Sequence, residues 1–198
     1  MKTRQSTLTA LALGLIMLAG CAVEASPQLS SQPAASQLST SKNAGPTSAG
    51  TDRPVAVAPA AAAMVCSSEA KENVTKILEL ASAPLATPSW DGSTYSCVYK
   101  LPDGPFTMTV EVASGDDAAT AEARILAASL NARPIVGLSN LGLPGYQSGD
   151  GDVVFAKDNM TLHVDATTMK TTVGAKHVPR ADFAYQMATT ILACWTEH

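Results

Sequence analysis

Basic clusters, histidine and long apolar runs are all scarce in this chain, and each shortage excludes something. Its 198 residues include 13 lysines and arginines against 17 acids, a formal charge of −4. The basic residues are scattered, so there is no electrostatic footprint for a nucleic-acid groove or an anionic headgroup surface. The three histidines, His163, His177 and His198, stand far apart, and no pair of cysteines has the C-x-x-C spacing of a zinc site. The glycine-rich stretch "GLSNLGLPG" (137–145) has neither G-x-G-x-x-G nor the lysine and hydroxyl of a phosphate-binding loop. No metal and no cofactor is expected. Aromatic residues make up only 5% of the chain. The apolar run Leu8–Leu18 is too short for a bilayer core, which needs about 20 residues.

That short run has a different use. Lys2 and Arg4 precede it, and a positive start before a brief apolar centre is the pattern of a secretory signal peptide. The run ends in Leu18-Ala19-Gly20-Cys21, which resembles the lipobox of bacterial lipoproteins. The resemblance implies that Cys21 receives a diacylglyceryl thioether and becomes residue one after cleavage. Two acyl chains make stable anchoring plausible, because each buried CH₂ contributes about 0.8 kcal/mol. Loss of residues 1–20 removes two of the 13 basic residues and none of the 17 acids, so the charge moves from −4 to −6. Membrane attachment would then come from lipid and not from charge.

Residues 21–63 form the lipidated amino end and a tether. They are Ser, Ala, Pro and Gly with no aromatic residue, and cannot bury enough apolar area to offset the entropy of ordering them. Such a coil spans about 35 Å root-mean-square. From residue 64 the composition changes to that of one globular domain, 64–198, large enough for a single core.

Periodicity organises that domain. "CSSEAKENVTKILELAS" predicts a helix capped by Ser67 or Ser68, with Ala70, Val74, Ile77, Leu78 and Ala81 on one face. Two alternating runs around Pro102-Asp103-Gly104 predict a β-hairpin, with Tyr95, Cys97, Tyr99 and Leu101 facing the same side as Phe106, Met108, Val110 and Val112. A second helix follows, capped by Ser114 or Asp116, whose stripe of Ala118, Ala121, Ile125, Leu126 and Leu130 would lie close on a sheet. Strands are expected at Ile135–Leu138, Val153–Lys157 and Thr161–Ala166, the last two joined by Asp158-Asn159. "TTMKTTVGAKH" reads as loop. A last helix has Pro179 near its first turn and buries Ala184, Met187, Ala188, Ile191, Cys194 and Trp195. The expected fold is α+β: one compact domain, an antiparallel sheet with helices packed mainly on one face.

Outside the cytoplasmic membrane thiols tend to pair, and beyond Cys21 three cysteines remain, Cys66, Cys97 and Cys194. A Cys66–Cys97 bridge would pin the first helix to the first strand and leave Cys194 as the odd thiol. The rival bridge, Cys66–Cys194, would join the two ends of the domain.

Candidate chemistry is thin. Asp150 and Asp152 in "SGDGD" lack the further ligands of a calcium loop, and His163 lies mid-strand on the face opposite Leu162 and Val164. Asp150, Asp152 and Asp165 are the acids a polymer hydrolase would have to use. No nucleophile has a recognisable base beside it, so no catalytic residue is nominated.

"VCSSEA", "YSCVYKLPDGPFTMTVEV", "KDNMTLHVDAT" and "ATTILACWTEH" together resemble small cell-envelope lipoproteins of the actinobacteria, which join a signal, a Ser/Pro-rich tether and one Cys-containing α+β domain of unknown function. The resemblance implies a lipid-anchored protein on the outer leaflet of the cell membrane, facing the cell wall, and carries over no catalytic residue. The expected function is non-enzymatic. It is binding of a small apolar or amphipathic ligand, or of an envelope partner protein, through an uncovered sheet face or a pocket between sheet and helices. The motive is the set Tyr95, Tyr99, Phe106, Met108, Tyr146, Phe155, Met160 and Trp195. A wall-polymer hydrolase and a sensor accessory are the alternatives.

Overall fold

The computed structural model describes residues 57–137 and 143–195. The signal segment, Cys21 and most of the tether therefore lie outside the described residues, as do 138–142 of the glycine-rich stretch.

Four helices and nine strands follow in the order α1 (Ala60–Ala63), a 3₁₀ turn (Met64–Cys66), α2 (Ser68–Leu78), β1 (Leu85–Trp90), β2 (Thr94–Lys100), β3 (Phe106–Val112), α3 (Asp116–Ser129), β4 (Arg133–Pro134), β5 (Gly145–Gln147), β6 (Asp152–Lys157), β7 (Met160–Asp165), β8 (Thr172–Val173), β9 (Val178–Pro179) and α4 (Arg180–Trp195). Seven strands form one sheet in the order β1-β2-β3-β7-β6-β5-β4, and β8 pairs with β9 separately. Every pairing is antiparallel. The α+β architecture expected from the periodicity is the one present.

Alternation assigns the two faces of the large sheet. Cys97, Met108, Val164 and Val153 lie in one cross-strand row, and Tyr99 and Phe106 lie beside it. These side chains are buried, beneath α4 over β6 and β7 and beneath the 3₁₀ turn over β2 and β3, with α2 packed along α4. Tyr99 stacks on Phe106 at 4.5 Å between ring centroids, and Phe106 meets Phe183 of α4 edge-on at 5.0 Å. The helix α4 buries the residues its pattern predicts: Ala184, Met187, Ala188, Ile191, Cys194 and Trp195.

Among the described residues the opposite face carries only α3, which covers β6 and β7. Its buried stripe is Ala119, Ala123 and Ala127. The close packing is as expected but the stripe is not the expected Ala118, Ala121, Ile125, Leu126 and Leu130, and Ile125 is 72% exposed. The reason is distance: the helix lies so close that Thr161 Oγ1 donates to the Ala119 carbonyl at 3.0 Å, and only alanine fits at that approach. Gly115, in extended backbone, precedes the helix where Ser114 or Asp116 was expected.

Other departures have local causes. Ser67 caps α2 as expected, accepting from Ala70 N at 3.1 Å. The helix stops at Leu78, short of Ala81, because Glu79 turns left-handed at φ 52° and the Leu78 carbonyl accepts from Ala175 N. Pro84 and Pro88 hide β1 in the sequence, but β1 is an edge strand, where proline is tolerated. The strand expected at Ile135–Leu138 is shorter and earlier, at Arg133–Pro134. The stretch read as loop before α4 holds β8, which pairs with β9 at Val178–Pro179, where the last helix was expected to begin. The packed residues also begin before Met64: Ala62 is fully buried, and Trp195 Nε1 donates to the Ala61 carbonyl at 3.0 Å.

Candidate functional site

The cysteines come first, because they set the frame. Cys66 and Cys97 are bonded, with Cα atoms 5.4 Å apart, so the 3₁₀ turn is tied to the second strand of the sheet. Cys194 lies outside that bond, buried on α4 with its Sγ 3.8 Å from Glu69 Oε1.

The aromatic and methionine set that motivated a binding surface is mostly core. Tyr99, Phe106, Met108 and Phe155 are fully buried, and Met160 and Trp195 nearly so. Tyr95 and Tyr146 are half-buried. The Tyr99 hydroxyl donates to the Val65 carbonyl at 2.6 Å, and burial pushes its ionisation well above the usual tyrosine range.

The three acids singled out in the sequence are engaged elsewhere. Asp150 is exposed, with Arg180 at 3.7 Å. Asp165 folds back on its own turn, accepting from Thr167 N at 2.9 Å and Thr167 Oγ1 at 2.6 Å. Asp152 is buried between Ser148, whose hydroxyl donates to Oδ2 at 3.0 Å, and His163, whose Nε2 lies 3.1 Å from Oδ1. The order of these three groups differs from that of a hydrolytic triad: the hydroxyl is bonded to the acid and not to the imidazole.

A site that sequence reading missed lies where α3 ends its cover. Beyond β7 the same sheet face is crossed by no described helix. It presents Thr87 and Ser89 of β1, Thr94, Ser96 and Val98 of β2, and Thr107, Thr109 and Glu111 of β3, in rows set by the register. Glu111 pairs with Thr161 across the β3–β7 boundary. The flank of α3 that faces this boundary carries Glu122, Leu126 and Ser129, spaced to lie on one side of a helix. A cleft of about 290 Å³ opens there, lined by Glu111, Glu122, Ile125, Leu126, Ser129 and Thr161.

Its electrostatics are one-sided. Burial holds the Glu111 carboxyl above the usual glutamate range, and the nearby Glu122 and Asp91 push it further. Asp91 itself is held low by the backbone N–H groups of Ser93 and Thr94, so it adds a persistent negative charge. Glu122 Oε2 is buried and has no hydrogen-bond partner among the described residues. Among them, too, neither Glu111 nor Glu122 forms an ion pair. An unsatisfied buried carboxylate oxygen costs free energy, on the order of 1–3 kcal/mol or more. A native fold that keeps one invites a function for it.

No family profile, no curated protein and no solved structure matches this chain. The site must therefore be interpreted from its own chemistry. Among the described residues no group of three or more His, Cys, Asp or Glu could hold a metal ion, and no helix is long and apolar enough to cross a membrane. A weak signal for the cleft was present in the sequence. Glu111 interrupts the apolar end of "TMTVEV", and Glu122 sits amid the alanines of α3.

Proposed function

We propose that this protein is a non-catalytic lipoprotein of the cell envelope, held to the outer leaflet by acyl chains on Cys21, whose domain takes a small amphipathic ligand in the cleft between α3 and β3. The single observation that carries the binding role is the cleft itself. It combines an apolar wall, Ile125 and Leu126, with two carboxyl groups that have no salt-bridge partner among the described residues. A volume of about 290 Å³ is near the lower end of ligand sites, which run from roughly 300 to 1,000 Å³. It suits a small molecule and not a folded partner.

Anchoring and binding are tested together. The wild-type chain and a Cys21→Ser chain are expressed in an actinobacterial host. Wild type should remain with the membrane and carry added acyl mass, whereas the variant should be released. Native mass spectrometry of the released chain should show a bound mass that denaturation removes. A bare protein mass from both preparations would count against the binding role, and an unmodified Cys21 in wild type would count against the anchor.

One observation favours a second possibility. Two carboxyl groups facing one cleft, one of them held towards its protonated form, are the groups a glycoside hydrolase uses as acid and base. Release of soluble fragments from wall polymer, abolished by both Glu111→Gln and Glu122→Gln, would establish that activity in place of simple binding.

A further inference from the structure

We infer that the ligand of the α3–β3 cleft is a primary ammonium group carried on a short apolar chain. This deepens the binding role proposed above and rests on it. The inference comes from counting protons in the cleft wall. Thr161 Oγ1 donates its only proton to the Ala119 carbonyl at 3.0 Å. Ser129 Oγ donates its only proton to the Leu126 carbonyl at 2.7 Å. Both hydroxyls are thus left with lone pairs alone to offer the cavity. Glu111 and Glu122, once ionised, offer only lone pairs as well. Every polar side chain that lines the cleft is an acceptor, and no lining residue is basic.

A ligand that satisfies this wall must bring donors and positive charge. A primary ammonium brings three donors and no acceptor. An alcohol has one donor and adds lone pairs where there are already too many. A carboxylate or phosphate would meet Glu111, Glu122 and the Asp91 charge with like sign. The Glu111 and Glu122 carboxyls that line the cleft gain a charge-assisted bond from an ammonium and from none of the others. Ile125, which is 72% exposed, and Leu126 give the rest of the ligand an apolar surface. Desolvation makes the acids' attraction for a cation stronger than at an open surface.

Binding also moves a proton in a predictable direction. Burial, Glu122 of α3 and Asp91 of the β1–β2 turn hold Glu111 above the usual glutamate range. A bound cation opposes all three and favours the ionised carboxyl. In mildly acidic solution, binding should therefore release protons from Glu111 to the buffer.

The test uses the full-length Cys21→Ser chain and three six-carbon probes: n-hexylamine, hexan-1-ol and hexanoate. Amide and methyl NMR signals report the site, and calorimetry in buffers of different ionisation enthalpy reports protons. Hexylamine should shift the signals of Glu111, Ile125, Leu126 and Thr161 saturably. Hexan-1-ol should bind at least tenfold more weakly, and hexanoate should leave those signals unmoved. Glu122→Gln should weaken hexylamine at least tenfold, with Glu111→Gln as the second variant should the first misfold, and Glu111→Gln should remove the proton release. Equal binding of hexylamine and hexan-1-ol would overturn the ammonium assignment while leaving an apolar binding site intact. Failure of all three to shift these signals would also overturn it, and the mass-spectrometric test above then decides separately whether the domain carries any ligand.

Discussion

The Tyr99 hydroxyl reaches the Val65 carbonyl across 2.6 Å of fully buried interior. Tyr99 stands on β2 two residues after Cys97 and on the same face, and Val65 precedes Cys66. The hydrogen bond and the disulfide therefore hold the same 3₁₀ turn to the same strand by two independent means. Tyr99→Phe keeps the ring and its stacking on Phe106 but leaves a buried carbonyl unsatisfied. It should cost about 1–3 kcal/mol, read as a lower urea midpoint with an unchanged slope. A loss below about 0.3 kcal/mol would mean that water replaces the hydroxyl.

Removing the disulfide should cost more. Cys66 and Cys97 are 31 residues apart, and opening that loop in the unfolded chain destabilises by about 3–4 kcal/mol in the chain-entropy model. The paired Cys66→Ser, Cys97→Ser chain should show that loss in chemical denaturation. Reduction of the wild type should reproduce it, provided Cys194 is alkylated to prevent a new bridge.

Gly174 has no room for a side chain. Its φ is +68°, and a Cβ there would lie 2.8 Å from both the Cα and the carbonyl oxygen of Leu78. Backbone cannot move aside as a flexible side-chain end can. Gly174→Ala should cost at least about 2 kcal/mol, from strain and clash together. Gly149→Ala is the control. Nothing lies within 4 Å of its would-be Cβ, so its effect should stay within about 0.5 kcal/mol.

Two acids should move stability with pH in opposite directions. Asp103 accepts from Lys170 Nζ at 2.8 Å and from Gly174 N at 2.9 Å, and the lysine contact first, then the backbone N–H, hold its carboxyl below the usual range. A carboxyl lowered in the folded state stabilises above its unfolded value, near pH 4, and that contribution fades as pH falls through the lower folded value. Glu111 is raised. Its contribution is complete below its unfolded value and is lost as pH climbs through the higher folded value. At neutral pH, Asp103→Asn should lower the melting temperature and Glu111→Gln should raise it. Both differences should shrink towards zero in strong acid. A Glu111→Gln chain that melts lower than wild type at neutral pH would show that the glutamate makes a stabilising contact the cleft geometry does not contain.

Much of the architecture was legible because it depends on nearest neighbours. Alternation around Pro102-Asp103-Gly104 gives both strands of the central hairpin and the face they bury, and the 3.6-residue period of α4 marks its buried residues apart from Phe183 and Leu192. Ser67 announces α2 by the proton it accepts. Reading failed where a partner overrules local pattern. The phase of α3 follows the close approach of the sheet and not side-chain size, so alanines face in and Ile125 faces out. Edge position permits β1 despite Pro88. The cleft was illegible for a stronger reason. Glu111 and Glu122 each sit on the polar side of a separate element, and they meet only because β3 pairs with β7 while α3 lies across β7. No pattern within either element records that pairing.

The bond between Trp195 and Ala61 has a consequence in time. It links residues 134 positions apart, and Lys157 Nζ adds a donor to the Trp195 carbonyl at 2.8 Å. A chain emerges amino end first, so α1 waits without its partner until the last helix is out. Loop closure of that span delays the contact further. The domain is thus completed by its final segment and not grown from its first. Until then the nascent chain holds an open hydrophobic seam that α4 closes.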